Sequence, residues 1–309
     1  MQKYLFLAPV FKEMIWGGNK LNKEFGYKIP SEKTGEAWVI SGHKNGDCLI
    51  TNGSLKGQTL SQVYMKYKEL FGFPKDQVFP LLAKIIDADS DLSIQIHPND
   101  EYARIHSNDL GKTECWYILD AEAGGHIVYG HNAKTKEELI HLIVNKEWDK
   151  LLRKQSVKKG DFIFVPSGTV HAICKGLLIL EIQQSSDTTY RFYDYDRIDD
   201  KGNKRPLHLE DAINVIRIPH VETSFDKIEK FDGNTSVVTL IESPFFSVYK
   251  IKIKDEHVIR NDNYSLVNVL EGNGTIEGKH IKKGDSFIIT KEAKFSVVKG
   301  QVELLISIK

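Results

Sequence analysis

The sequence has little cysteine and no long apolar run. Its three cysteines, Cys48, Cys115 and Cys174, are spread over 309 residues. An odd and sparse set argues against a disulfide framework and favours a reducing compartment. No apolar run approaches the roughly 20 residues that a membrane-spanning helix needs. The N-terminal segment also lacks a small-residue cleavage site, so it is a poor signal peptide and we expect a cytoplasmic protein.

Net charge is absent as well. The 42 basic residues equal the 42 acidic residues, so the formal charge is zero. Such a chain has no electrostatic footprint for nucleic acid or for an anionic membrane, and we expect neither as a partner. The length allows one large domain or two of moderate size. The sequence leaves open whether the protein is a monomer or a homodimer.

Short apolar strands between Gly, Asn and Asp turns dominate the chain and predict a mainly β protein. Helical periodicity is clear at 59–72 and 135–154, and weaker at 208–216. Thr135 is the predicted N-cap of the second of these helices. From about residue 235 onward almost every segment has strand character. We therefore divide the chain into domains at 1–234 and 235–309.

One segment, KKGDFIFVPSGTVHAI at 158–173, combines two predicted strands with a tight turn. Apolar residues alternate before Pro166, and Gly168 supplies the turn because glycine adopts positive φ at little cost. His171 follows just inside the returning strand. A histidine in a strand is more often a packed core residue than a ligand, so its role depends on the residues around it.

A second segment, HIKKGDSFIITKEAKFSVV at 280–298, repeats the KKGD turn and the strand after it. This copy lacks the proline, the following glycine and the histidine. The pair predicts two related β-barrels, of which only the first carries the chemistry. We expect the C-terminal region to bind no metal.

Four polar residues in short strands form the candidate metal site. In LSIQIHPND, Gln95 and His97 are two residues apart and project to the same side of a strand. Glu114, in GKTECWYIL, and His171 lie in other strands that could converge with the first inside a barrel. Nitrogen and oxygen donors of this kind suit Zn²⁺ and leave a position for water or substrate.

These motifs carry a resemblance to a known family. GDFIFVPSGTVH resembles the second motif of the cupin superfamily, and QIHPND, GKTE and TTYRFYDYDR around it resemble the short bacterial branch of the type I phosphomannose isomerases. FLAPVFKEMIWGG and GEAWVIS near the start also resemble that family. The resemblance is good over roughly 1–220 and looser beyond. It implies two cupin-like jelly-roll barrels with a few peripheral helices, and a metal-dependent interconversion of mannose 6-phosphate and fructose 6-phosphate through a cis-enediol.

The resemblance also implies roles for individual residues. One Zn²⁺ per chain is expected on four ligands, which are Gln95, His97, Glu114 and His171. The catalytic residues that it implies are Lys84, Lys112, Asp187 and Arg191. The substrate-binding residues are Ser93, Lys112 and Arg191, with Ser93 near the phosphate. The substrate is thus expected to be a small phosphosugar.

Other interpretations stay open on the residues alone. Arg191 also fits an ion pair with Asp194 or Asp196 in a charge-rich turn, and Lys84 fits a snorkelling lysine in an apolar strand. The same metal ligands suit an Fe²⁺-dependent cupin oxygenase, and a sugar-binding cupin without catalysis is a third possibility. The basic residues Lys84, Lys112 and Arg191 favour a phosphosugar over dioxygen chemistry.

Overall fold

The structure is a computed structural model that describes residues 2–198, 202–223 and 225–309. Within these ranges the chain is mainly β, as predicted, and none of its helices is long and apolar enough to cross a membrane. The strands are β1 Tyr4–Ala8, β2 Val10–Gly18, β3 Thr34–His43, β4 Gly46–Asp47, β5 Leu49–Ile50, β6 Leu81–Asp87, β7 Ile94–Ile96, β8 Glu114–Ala121, β9 His126–His131, β10 Leu152–Ser156, β11 Phe162–Val165, β12 His171–Ile173, β13 Leu177–Gln184, β14 Tyr190–Tyr193, β15 Ile228–Asp232, β16 Thr235–Glu242, β17 Ser247–Ile253, β18 Glu256–Arg260, β19 Ser265–Ile276, β20 Lys279–Lys282, β21 Ser286–Ile289 and β22 Phe295–Ile308. The α-helices are α1 Lys20–Phe25, α2 Leu60–Lys66, α3 Asp100–His106, α4 Lys136–Val144, α5 Trp148–Leu151 and α6 Leu209–Val215, and two short 3-10 helices cover Gly53–Leu55 and Lys68–Phe71.

The three predicted helical segments are helical over shorter stretches. The second contains α4, whose N-cap Thr135 accepts a hydrogen bond from the Glu138 backbone as predicted, and α5. The prediction is wrong at its end, because Leu152–Ser156 forms β10 and pairs antiparallel with β9. Pairing with a neighbouring strand outweighs the helical periodicity that the local sequence retains there.

The described chain forms two compact units that are discontinuous in sequence. Unit 1 contains residues 2–10, 38–84 and 225–309, and unit 2 contains residues 11–37 and the described part of 85–224. Each unit therefore gathers its core from distant parts of the chain. The two domains predicted from the sequence, 1–234 and 235–309, are continuous stretches of chain. That division stays a prediction.

Unit 2 holds two antiparallel sheets with a shared core. One sheet has the order β10–β9–β12–β7–β14, and the other contains β11, β8 and β13 side by side. Trp116 and Ile118 of β8 belong to the same buried cluster as Ile127 of β9 and Ile173 of β12. The apolar faces of the two sheets are thus packed against each other, as in other layered β folds.

Unit 1 contains a ten-stranded sheet around an apolar core that includes Phe287 and Ile289 of β21. The KKGD turn before β21 matches the one before β11. In the first turn the Lys158 amide donates to Asp161 Oδ2 at 2.9 Å, and in the second the Lys282 amide donates to Asp285 Oδ2 at 2.9 Å. The repeat noticed in the sequence is therefore also a repeat of local backbone structure.

Candidate metal centre and active site

The interior face of unit 2 changes from apolar to polar along its strands. In β8 this face carries Ile118, then Trp116, then Glu114, and in β12 it carries Ile173, then His171. Ile118, Trp116 and Ile173 belong to the buried apolar cluster. Since alternate residues of a strand share one face, the polar ends of these strands project from the same side as the core.

His97, Glu114 and His171 meet at this polar end. Their relative exposures are 1%, 0% and 0%. The two histidine Nε2 atoms are 3.2 Å apart, Glu114 Oε2 is 3.4 Å from His97 Nε2, and Glu114 Oε1 is 3.4 Å from His171 Nε2. Among the described residues this is the group of three whose ligand atoms all lie within 4.8 Å of one another.

The outer nitrogens of both rings are held by backbone carbonyls. His97 Nδ1 lies 3.1 Å from the Thr188 carbonyl oxygen, and His171 Nδ1 lies 2.9 Å from that of Thr169. A carbonyl accepts only, so each Nδ1 carries the proton and each Nε2 presents a lone pair. Two lone pairs 3.2 Å apart repel each other unless a cation lies between them. Carbonyl-anchored histidines with a carboxylate are a donor set that binds divalent metals such as Zn²⁺.

The charges of the cluster agree with this arrangement. Burial lowers the pKa of His97 to about 3, and Lys112 adds to that effect. Burial lowers the pKa of His171 as well. Burial by itself would raise the pKa of Glu114, but the Lys112 ammonium and the histidines outweigh it and hold that pKa well below its usual range. Two neutral imidazoles and a carboxylate are the ionisation states that bind metal.

Lys112 and Trp116 connect the cluster to a second buried carboxylate, Glu181. Lys112 Nζ is 3.1 Å from Glu114 Oε2 and 4.0 Å from Glu181 Oε1. Trp116 Nε1 donates to Glu114 Oε1 and to Glu181 Oε2, each at 3.0 Å. The Lys112 ammonium and the Trp116 indole N–H therefore each contact both carboxylates. These contacts fix the orientation of Glu114.

Gln95 lies in a register row between His171 and Arg191. Strand β7 is paired with β12 on one side and β14 on the other, and Gln95 is opposite His171 in one ladder and opposite Arg191 in the other. Directly opposed residues in antiparallel strands project to the same face with Cβ atoms about 5 Å apart. The three side chains thus share one face, with Gln95 adjacent to the cluster.

Arg191 is not part of the ion pairs around Asp194. Asp194 Oδ1 accepts hydrogen bonds from Arg197 and from Arg205 at 2.6 Å, and Arg205 Nε donates to Asp194 Oδ2 at 2.8 Å. Arg191 Nη1 instead donates to the Pro206 carbonyl at 2.9 Å, and its Nε is buried without an acceptor among the described residues. The simpler interpretation, an Arg191–Asp194 pair, therefore does not describe this arginine.

Two family models match separate stretches of the chain. The type I phosphomannose isomerase catalytic domain model matches residues 5–124, and the mannose-6-phosphate isomerase cupin domain model matches residues 236–309. A mannose-6-phosphate isomerase of Streptococcus mutans is 49% identical over 312 residues, which cover 99% of this chain and 98% of that protein. The chain belongs to the type I phosphomannose isomerase family. Metal dependence is general for this family.

Solved structures agree with the family and with the fold. The crystal structure of mannose 6-phosphate isomerase from Bacillus subtilis has a TM-score of 0.97 and 44% identity, with 100% of both chains covered. The apo form of the enzyme from Salmonella typhimurium has a TM-score of 0.78 at 15% identity, with 99% of both chains covered, and it shares the fold. The cupin-like β architecture predicted from the sequence is confirmed.

Three further residues that the phosphomannose isomerase resemblance implied also lie outside the three-residue cluster. Ser93 is buried just before β7. Asp187 is exposed, and its backbone amide donates to Asp109 Oδ2 at 3.2 Å. Lys84 is a buried residue of unit 1, with its ammonium 5.0 Å from the centre of the Trp38 ring. The roles that the family resemblance implies for these three residues therefore stay predictions.

Glu181 was missed by the sequence analysis of this isomerase. It lies in LLILEIQQ, a strand in which all eight residues are buried. The available signal was the charge itself, because an acidic side chain in an apolar run that reads as a buried strand requires a partner.

A cavity of about 350 Å³ is lined in part by the turn that precedes β12. Its lining includes Ser167 and Gly168 of that turn, together with Asn99 and Arg217. The side chains of the three-residue cluster do not line it, so we assign the chemistry of this phosphomannose isomerase family member to the cluster and not to the cavity.

Proposed function

We propose that this protein interconverts mannose 6-phosphate and fructose 6-phosphate through a cis-enediol, with one Zn²⁺ per chain. The observation that carries the proposal is the convergence of His97 Nε2, His171 Nε2 and Glu114 in a chain that matches the isomerase family at both ends. The nitrogen and oxygen donors suit Zn²⁺.

The proposed metal ligands are Gln95, His97, Glu114 and His171. When bound, the metal supplies a positive charge that stabilises oxygen charge on the substrate during enolisation. The chain orients its ligands before binding, because both histidines are anchored at Nδ1 and Glu114 is held by Lys112 and Trp116. Gln95 is the proposed fourth ligand on the strength of its register beside His171.

Arg191 and Lys112 are the proposed cationic residues that bind substrate oxygen. Arg191 shares a face with Gln95 and His171, and its Nε lacks an acceptor among the described residues. A preorganised guanidinium aimed at a developing enediolate stabilises the transition state more than the ground state. Lys112 lies between Glu114 and Glu181, so its ammonium is held in place beside the proposed metal ligands.

Ser93, Lys84 and Asp187 complete the proposal on the strength of the family resemblance. Ser93 is assigned to the phosphate, whose binding energy orients the reacting carbons. Lys84 and Asp187 are assigned to catalysis. We also propose that 235–309 carries no metal, and that the protein is cytoplasmic; its three cysteines are free and buried.

The test is an isomerase assay with mannose 6-phosphate on the purified protein, before and after chelation, alongside a metal analysis. We expect about one zinc per chain, activity that is lost on chelation and restored by zinc, and loss of both metal and turnover in His171→Ala. His280→Ala, which changes an exposed histidine of unit 1, is the control and should behave as the wild type.

The outcomes separate this proposal from its alternatives. Iron in place of zinc, with oxygen consumption and no isomerisation, would indicate a cupin oxygenase. Sugar binding without turnover would indicate a non-catalytic cupin. Full metal occupancy in His171→Ala would show that the ligand assignment is wrong.

A further inference from the structure

Asp109 gathers three hydrogen bonds on one carboxylate oxygen. Its Oδ2 accepts from Ser186 Oγ at 3.0 Å, from the Asp187 amide at 3.2 Å and from Thr188 Oγ1 at 2.9 Å. Its other oxygen, Oδ1, accepts from the Leu110 amide at 2.9 Å. A single side chain thus fixes three consecutive residues that lie 77 to 79 positions away in the sequence.

The segment that Asp109 fixes is the one that holds His97. The Thr188 carbonyl lies 3.1 Å from His97 Nδ1 and determines which ring nitrogen carries the proton. The position of that carbonyl depends on the backbone on either side of it. Because Asp109 binds both the Thr188 hydroxyl and the preceding amide, it determines where the carbonyl can lie.

We propose that Asp109 is a positioning residue of the metal centre, which acts on His97 through the Thr188 carbonyl. The inference rests on the proposed function only in that the cluster binds metal. No part of the sequence pattern pointed to Asp109, since SNDLG reads as an ordinary loop with turn-forming residues.

The geometry gives Asp109 a specific requirement for a carboxylate. Oδ2 faces three donors and Oδ1 faces a fourth. An asparagine has one acceptor oxygen, so its amide N–H₂ meets a donor whichever way it is turned. We therefore expect a graded series in which Asp109→Asn is intermediate and Asp109→Ala is the most affected.

The first measurement is the rate at which the zinc-loaded protein releases zinc to a chromogenic chelator. Partners behind a metal-bound histidine are typically worth 10- to 100-fold in metal affinity. We expect release to be about 10- to 100-fold faster in Asp109→Ala, with a smaller acceleration in Asp109→Asn. Asp120→Asn is the matched control, because Asp120 is an exposed aspartate at the far end of β8, and its release rate should equal that of the wild type.

The second measurement does not depend on metal or activity. In the metal-free protein, ¹⁵N-resolved NMR of the histidine rings reports which nitrogen carries the proton. We expect His97 to be the Nδ1–H tautomer in the wild type and in Asp120→Asn, and a mixture of tautomers in Asp109→Ala. A purely structural role would lower the melting temperature without changing the tautomer.

The results separate this inference from the proposed function. Wild-type release and a wild-type His97 tautomer in Asp109→Ala would overturn the role of Asp109 and leave the metal centre intact. A wild-type protein that takes up no zinc would overturn the metal centre itself. If Asp109→Ala does not fold, Asp109→Asn decides, and the wild-type tautomer and release rate in that variant would again overturn the inference.

Discussion

Arg191 differs from the arginines near it in what it binds. Arg197 and Arg205 are bound to Asp194, whereas Arg191 contacts a backbone carbonyl and keeps a buried Nε without an acceptor among the described residues. In Arg191→Lys the charge remains but the planar fork is lost. We expect kcat to fall by ~10²-fold or more, on the order of 3 kcal/mol, as for the loss of one preorganised oxyanion donor. KM should change much less and bound zinc should not change.

Arg205→Lys is the control for that measurement. Arg205 binds Asp194 through two nitrogens, so this variant should melt at a lower temperature and show normal turnover per folded molecule. A steep rise in KM with little effect on kcat in Arg191→Lys would instead indicate that Arg191 binds a remote group such as the phosphate. Normal kcat with a normal melt would remove Arg191 from the mechanism.

Asp194 makes stability depend on pH at the acid end. Burial opposes its ionisation, but the hydrogen bonds from Arg205 and Arg197 outweigh burial and lower its pKa. A carboxyl whose folded pKa is depressed stabilises the protein above its unfolded pKa of about 3.9, and this contribution is lost as the pH falls through the folded pKa. We expect Asp194→Asn to melt below the wild type at pH 7, with a difference that persists to about pH 4 and disappears only below it.

Thermal melts of the two proteins from pH 7 to pH 2 test this expectation. Asp196→Asn is the control, because Asp196 is exposed and its bond with Lys204 contributes little in water. A difference between Asp194→Asn and the wild type that vanished already near pH 6 would contradict the assignment.

Strand parity explains which site residues could be predicted and which could not. Gln95 and His97 occupy alternate positions, and the structure places His97 with Glu114 and His171. Glu181 could not be assigned to a face, because every residue of its strand is buried and the pattern shows no contrast between the two sides. Asp109 and Thr188 act through tertiary hydrogen bonds over a long sequence separation, which no local pattern encodes.

The turn between β11 and β12 is the element on which His171 depends. Gly168 has φ +82°, its amide donates to the His97 carbonyl at 2.8 Å, and a Cβ there would lie 2.8 Å from the Val215 carbonyl oxygen. In Gly168→Ala we expect about 1–2 kcal/mol of destabilisation from the left-handed backbone, a further loss from the backbone contact, and weaker zinc binding. Denaturant unfolding and zinc titration measure both.

Gly124→Ala separates the two contributions. Gly124 has φ +80° and nothing within 4 Å of an added Cβ, so this variant should show the backbone cost alone and bind zinc normally. Equal destabilisation in the two variants, with unchanged zinc affinity, would contradict the role given to the turn.

Element type was easier to predict than element extent. The strands around the PSG turn and the N-cap at Thr135 follow from local pattern, and the structure confirms both. The short helix α3 was missed although Asn99 caps it and Asp100 and Glu101 fill its first turn, because seven residues carry too little periodicity. Helix and strand ends depend on partners distant in sequence, as β10 illustrates.

At the scale of the whole molecule, the C-terminal strands complete a unit that begins at the N-terminus. Tyr4, Leu5 and Phe6 of β1 pair with Ile289, Ile288 and Phe287 of β21, and the Tyr4 hydroxyl lies 2.8 Å from Ser296 Oγ. Phe71, in the second segment of unit 1, packs edge-on against Tyr264. The first two segments of unit 1 therefore share their core with residues 225–309.

We accordingly expect a 1–234 fragment to be insoluble or unfolded, because β1 loses its partner and Leu5 and Phe71, both 0% exposed in the full chain, would face water. The measurement is the yield of soluble protein and its zinc content. Co-expression of 1–234 with a separate 235–309 fragment is the matched comparison, since it restores the missing strands without the covalent link. Recovery of soluble protein only in that pairing would support the expectation. A soluble, fully active 1–234 fragment would show that residues 1–234 fold and act without 235–309.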